Sequence, residues 1–116
     1  MAHKTFVRNG IGHFDVSGRN LSQLSGFYQN VFGWKAESKG PGYALVQTPD
    51  GSINGALIEA EEAALTIGIT VPNLDDALSA AVVSGGSIVM PKTDNGWVTK
   101  GQIKDPAGNL LTLIQA

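Results

Sequence analysis

Apolar and polar residues alternate over 11–16, with Ile11, His13 and Asp15 on one side and Gly12, Phe14 and Val16 on the other. That period of two predicts a strand with two different faces. From Asn20 the period lengthens. Leu21, Leu24, Phe27, Tyr28, Val31 and Phe32 fall on one face of a helix. Asn20 with Gln23 three residues on has the spacing of a capping box, and Gly33 supplies a left-handed stop. The spacing therefore predicts a strand over 11–16 and a helix over 20–32, with Phe27, Tyr28 and Phe32 in the core. Trp34, just past the helix, reads as a packing residue.

The chain continues in short strands. They are expected over 34–38, 43–48 and 53–59, broken by Lys39-Gly40-Pro41-Gly42 and by the turn Thr48-Pro49-Asp50-Gly51. Phe6 and Val7, in the lead-in, are candidates for an edge strand. After Glu61-Glu62-Ala63 the pattern restarts. A strand over 65–71 precedes Asn73, which caps a helix with Leu74, Ala77, Leu78, Ala81 and Val82 on its apolar face. Gly85-Gly86 stops it. Strands follow over 87–90, 97–104 and 110–114, the last two joined by Asp105-Pro106-Ala107-Gly108-Asn109.

The halves align as a repeat: Val16 with Val71, Asn20-Leu21 with Asn73-Leu74, Gly33 with Gly86, and Pro49-x-Gly51 with Pro106-x-Gly108. Each half reads strand, helix, strand, strand, strand. A repeat of this length implies that each unit completes its neighbour's core. The expected fold is α+β: two tandem βαβββ modules, about 5–60 and 64–116 of one domain. They form one curved, mostly antiparallel sheet around a cleft, with the helices outside.

Composition removes several classes of function. The 116 residues carry a formal net charge of −2 with the charges scattered, so no nucleic-acid or anionic-membrane partner is expected. No cysteine is present, which excludes disulfides, thiolate metal sites and cysteine nucleophiles. A cysteine-free chain with no long apolar run is expected in the cytoplasm.

Phe27-Tyr28-x-x-Val31-Phe32-Gly33-Trp34 and Asp105-Pro106-x-Gly108-Asn109, placed as they are in a repeated frame, resemble two phrases of the vicinal oxygen chelate superfamily. That superfamily contains glyoxalase I, bleomycin-resistance proteins and extradiol dioxygenases. The stretches HFDV, VMPK and GW are similar to those of short glyoxalase-like members. The resemblance implies a metal ligand, usually His, Glu or Gln, on the first and last strand of each module in enzymatic relatives. Carried over through the repeat alignment, those positions fall on Ile11, Gly55, Thr66 and Thr112. None is a ligand of that kind. No metal or other cofactor is therefore expected, the alternative being a displaced site built from His13, Asp15 and Glu59.

Strand parity sets the expected cleft. His13 and Asp15 line it from the first strand, Gly55 and Leu57 from the fourth, Thr66 and Thr70 from the fifth, and Thr112 from the last. Tyr43 and Trp97 are candidates to stack on a planar ligand. Glu59, beside Glu61 and Glu62, reads as part of a solvated acidic rim, and His3 as solvated. The glycine runs lack phosphate-loop spacing. Apolar walls with a few hydroxyls and one imidazole suit a small-molecule pocket. The expected function is metal-independent binding of a small, partly aromatic compound by a homodimer. The alternative is a lyase, isomerase or dioxygenase-like enzyme with His13 as base or ligand.

Overall fold

Both predicted helices begin where an asparagine side chain takes up a free backbone N–H. In a computed structural model describing residues 8–51 and 53–116, Asn20 Oδ1 accepts from Gln23 N and Asn73 Oδ1 from Asp76 N, each at 3.0 Å. The expectations placed on His3, Phe6 and Val7 lie outside the described residues. In the first half, strand β1 (Gly10–Gly18) leads into helix α1 (Leu21–Phe32), then β2 (Lys35–Ser38), β3 (Tyr43–Gln47) and β4 (Asn54–Glu59). The second half repeats the order: β5 (Ala64–Val71), α2 (Leu74–Val83), β6 (Ser87–Asp94), β7 (Thr99–Lys104) and β8 (Leu110–Gln115). Gly33 closes α1 at φ 73°, and the N–H groups of Gly33 and Trp34 return to Gln29 and Tyr28. The fold is α+β, as the alternating periods predict.

The chain divides into two compact units, His13–Thr66 and Ile67–Ala116, the latter joined by residues 8–12. In the first unit, the outer pairs β2–β3 and β3–β4 are antiparallel while β4 lies parallel to β1. The second unit has the same arrangement: β6–β7 and β7–β8 antiparallel, β8 parallel to β5. Here β6 runs on past Met90 to Asp94, with register shifts on either side of Met90. Pro91 has no N–H to donate, and such irregularities are where a strand admits a proline.

Each unit has its own core. Val16, Val46 and Leu57 are buried under Leu21, Leu24 and Tyr28 of α1. Val71 and Leu113 are buried with Leu74 and Leu78 of α2. Phe27 and Phe32 do not join the first core, contrary to the helical-wheel expectation. Both are more than half exposed, because the stripe that meets the sheet is Leu21, Leu24 and Tyr28. Phe27 and Val31 lie beside that stripe.

The structural repeat keeps the sequence alignment of the helix starts, Asn20-Leu21 with Asn73-Leu74, but runs in a different register on the strands. Leu21 N bonds Glu59 Oε1, and Leu74 N bonds Gln115 Oε1, both at 3.2 Å. Ala60 N bonds Gly18 O, and Ala116 N bonds Val71 O. So Val71 corresponds to Gly18 rather than Val16, and Gln115 corresponds to Glu59. Two consequences follow from the strand pairings. His13 is the counterpart of Thr66, not Ile11, and Ala56 is the counterpart of Thr112, not Gly55. The turn before β4 (48–53) is one residue longer than that before β8 (105–109). A slip of one residue moves every side chain of a strand to the other face.

Candidate functional site

The face of the first unit turned away from α1 is defined by what the core leaves over. Val16, Val46, Leu57 and Ala36 point to the helix; their strand neighbours therefore point away. Register then arranges those neighbours in rows across the sheet. Lys35 lies opposite Gln47, and Asn54 opposite His13. The next row holds Glu37, Leu45, Ala56 and Asp15, and beyond it Tyr43 lies opposite Ile58. A cavity of about 350 Å³ opens over the first two rows, at the small end of ligand-pocket sizes. It is lined by His13, Lys35, Glu37, Leu45, Gln47, Asn54 and Gly55, with Ala36 and Val46 between them.

His13 and Asp15 are two apart on one strand and share a face, so they meet. His13 Nε2 donates to Asp15 Oδ1 at 2.9 Å, with about a quarter of each side chain exposed. That bond fixes the ring's orientation and leaves Nδ1 as its acceptor. Burial, and then the Asp15 carboxylate, push the Tyr43 phenol above its ordinary pKa. The phenol therefore remains a neutral donor at physiological pH.

Asn54 carries the cavity's one anomaly. Its Oδ1 is shut off from solvent and has no hydrogen-bond partner among the described residues. An unsatisfied buried acceptor costs about 1–3 kcal/mol. Lys35 makes no ion pair among the described residues, whereas Glu37 is tied to Lys39 at 2.8 Å.

Several expected site residues lie elsewhere. Leu57 is fully buried under α1 and Gly55 also points that way, where a Cβ would run into the Phe14 ring and carbonyl. The longer turn accounts for both corrections, since it puts Asn54, Ala56 and Ile58 on the open face instead. Glu59 is not a free rim carboxylate: it takes up the N–H of Leu21 at the start of α1. Paired with Gly18, it lies five residues along β1 from His13, roughly 16 Å. A site shared by His13, Asp15 and Glu59 is therefore excluded by geometry.

Thr70, Thr112 and Trp97 belong to the second unit, and neither they nor Thr66, the last residue of the first unit, line this cavity. Thr112 is buried and its Oγ1 accepts from Gln102 Nε2 at 3.1 Å. Trp97 is 86% exposed, in the turn where Asn95 Oδ1 accepts its N–H. It precedes β7 instead of starting it. Lys35, Glu37, Leu45, Gln47 and Asn54 were not anticipated. The alternation Lys35-Ala36-Glu37 and Leu45-Val46-Gln47 carries the signal for all but Asn54.

The donor set does not fit a metal ion. By structural register the four strand positions read His13, Ala56, Thr66 and Thr112, so one imidazole stands where a metal site needs several donors. That imidazole is already bonded to Asp15. Among the described residues no three His, Cys, Asp or Glu side chains cluster to hold a metal.

This fold matches that of known proteins at the level of both family and structure. The chain matches the Glyoxalase/Bleomycin resistance protein/Dioxygenase superfamily over residues 10–113, and it belongs to that superfamily. No curated protein sequence matches it. Methylmalonyl-CoA epimerase from Mycobacterium tuberculosis superposes with a TM-score of 0.71 at 16% identity, covering 98% of this chain and 92% of the epimerase. A superfamily member from Vibrio splendidus 12B01 gives 0.71 at 15% identity, covering 89% and 96%. The Mn(II)-bound glyoxalase from Novosphingobium aromaticivorans gives 0.70 at 17% identity. That match covers 93% of this chain and 39% of the glyoxalase, which contains a metal. No described helix is long and apolar enough to cross a membrane.

Proposed function

We propose that the chain is a metal-independent small-molecule-binding protein that holds a small, partly aromatic compound in the first-unit cavity. His13, oriented by Asp15, is its fixed polar contact and Leu45 is its apolar wall. The observation that carries this reading is the donor set. A single imidazole, committed to Asp15, leaves the cleft face suited to hydrogen bonding and apolar contact rather than to a coordinated ion. One geometric feature favours a second reading, base catalysis. The His13–Asp15 pair has the base-and-orienter arrangement used to move a proton, with Nδ1 as the accepting atom.

Calorimetry on a ligand found by screening aromatic compounds tests both. His13→Ala is expected to weaken binding by about 1–2 kcal/mol, and saturating chelator to leave wild-type affinity unchanged. Loss of binding in chelator, restored by one equivalent of a divalent metal, would overturn metal independence. Proton exchange at a ligand carbon, abolished by His13→Ala, would select base catalysis.

We also propose a homodimer. β2 and β6 are each unpaired on one side within their own units. Phe27, Val31, Phe32, Ile88 and Val89 leave apolar surface exposed. Such edges and patches are commonly covered by a second copy. Light scattering after size exclusion is expected to give twice the 12.1 kDa chain mass; the chain mass itself, at micromolar concentration, would refute it.

A further inference from the structure

Asparagine precedes glycine three times in the chain, at Asn9-Gly10, Asn54-Gly55 and Asn95-Gly96. Glycine has no side chain to hinder its own nitrogen from approaching the preceding amide. The three pairs have different surroundings. Asn54 lies in β4, where Gly55 is buried between Phe14 of β1 and Val46 of β3, and the Asn54 oxygen is shut off from solvent. Asn9 is exposed, but among the described residues no carboxylate takes up the Gly10 N–H. Asn95 stands in the exposed turn between β6 and β7, with Gly96 at φ 90°. There Asp94 Oδ1 accepts from Gly96 N at 2.8 Å. Asn95 Oδ1 accepts from Trp97 N and Val98 N, each at 3.0 Å.

We propose that this turn is a self-modifying site, where Asn95 deamidates through a succinimide and its neighbours supply the chemistry. Gly96 N attacks the side-chain amide carbon of Asn95, and the N–Cγ bond forms. The Asp94 carboxylate takes the proton from Gly96 N and passes it to the amide nitrogen. That nitrogen leaves as ammonia as its bond to Cγ breaks. Water then opens the ring. Cleavage on the Cγ side leaves aspartate at 95, and cleavage on the main-chain side leaves isoaspartate. Water is the one co-reactant. The proposal does not depend on what the first-unit cavity binds.

Each contact has a task in that reaction. The proton on a backbone nitrogen is the obstacle to attack, and a carboxylate already bonded to that N–H is a general base in place. Negative charge develops on the Asn95 oxygen as the nitrogen adds. Two backbone N–H groups already point at that oxygen, the arrangement of an oxyanion hole. Asparagine bonded to its own backbone is ordinary in a turn. Here, in addition, the carboxylate before the asparagine and the glycine after it bring base and nucleophile to one amide. An aspartate product still accepts from Trp97 N and Val98 N, so the hairpin is expected to survive it. An isoaspartate product adds a methylene to the main chain and shifts the hairpin.

Incubation of the whole chain at neutral pH, followed by peptide mass mapping with fragmentation, tests this without depending on any variant. Deamidation exchanges NH2 for OH, a gain of about one mass unit at the residue that reacts. In the folded chain Asn95 is expected to react about tenfold faster than Asn9, and Asn54 slowest of the three. In guanidinium, where the local structure is lost, the three rates should agree within about threefold. Asn95 should therefore react about tenfold faster folded than unfolded, less than a base inside a closed site contributes, because this carboxylate is solvated. Asp94→Asn keeps an acceptor for the Gly96 N–H and removes the base. It should slow Asn95 about tenfold in the folded chain and leave the rate in guanidinium unchanged. An Asn95 that reacts no faster folded than unfolded would overturn the proposal. So would an earlier reaction at Asn9 or Asn54, or an unchanged folded rate in Asp94→Asn. If that substitution disturbs the hairpin, the comparison of folded and unfolded wild type decides.

Discussion

Leu57→Ala is expected to lower stability by about 2–5 kcal/mol, the range for truncating a fully buried leucine. Ile58→Ala, the next residue on β4, is expected to cost about 1 kcal/mol. The contrast comes from face, not from residue size. Leu57 has no exposed surface and is packed against Val16 and Val46 under α1. Ile58 lies on the opposite face, half-buried, across from Tyr43. The larger loss corresponds to a drop of roughly 10–20 °C in melting temperature for a domain of this size. Urea unfolding of the two variants at one pH measures both. If Ile58→Ala costs as much as Leu57→Ala, the register of β4 is wrong. Asn54 then leaves the cavity face.

How much of this was legible in the sequence depends on which physical signal carries it. The helices, their caps and the doubled strand–helix order were legible, because period, asparagine caps and glycine stops are local. The first core was legible in part: Leu21, Leu24 and Tyr28 bear it, while Phe27 and Phe32 share their periodicity without their burial. A helix pattern names an apolar side but not how much of it the sheet covers. The repeat register was legible at the helix caps, Asn20 with Asn73, but not in the strands. Aligning Val16 with Val71 keeps the parity of β1 and β5, so alternation cannot reveal a slip of two residues. What reveals it is tertiary, the bonds from Leu21 to Glu59 and from Leu74 to Gln115.

The site shows the same division. His13 and Asp15 stand two apart on a strand, so their meeting follows from the sequence. Gly55 and Leu57 were misplaced because the turn before β4 carries one more residue than its counterpart. The matching Pro-x-Gly phrases draw an alignment across that insertion. The two turns also hold themselves differently. Asp105 takes up the N–H groups of Ala107 and Asn109 and the Asn109 amide, whereas Thr48 bonds Ile53 O and Asp50. Asn54 became a candidate only once the face of β4 was known.

Trp34→Ala is expected to cost about 3–5 kcal/mol, and Trp34→Phe much less. Trp34 leaves α1 through the left-handed Gly33, and that exit turns its ring back onto the helix. There it stacks on Tyr28 with centroids 5.0 Å apart and planes 10° from parallel. Phe14 and Phe32 each approach to 5.5 Å at a tilt. Such pairs add to area burial, and Trp34 takes part in three of them. The side chain therefore ties β1, α1 and the start of β2 together. Truncating it removes contacts from all three, including the Phe14 ring that lies against Gly55 under the cavity. Fluorescence gives an independent check, because the other tryptophan, Trp97, is 86% exposed. In Trp34→Phe the emission then comes from Trp97 alone and is expected to change little on unfolding, while wild-type emission shifts to the red. A Trp34→Ala protein as stable as wild type, or a Trp34→Phe protein that keeps the full unfolding shift, would refute this role for Trp34.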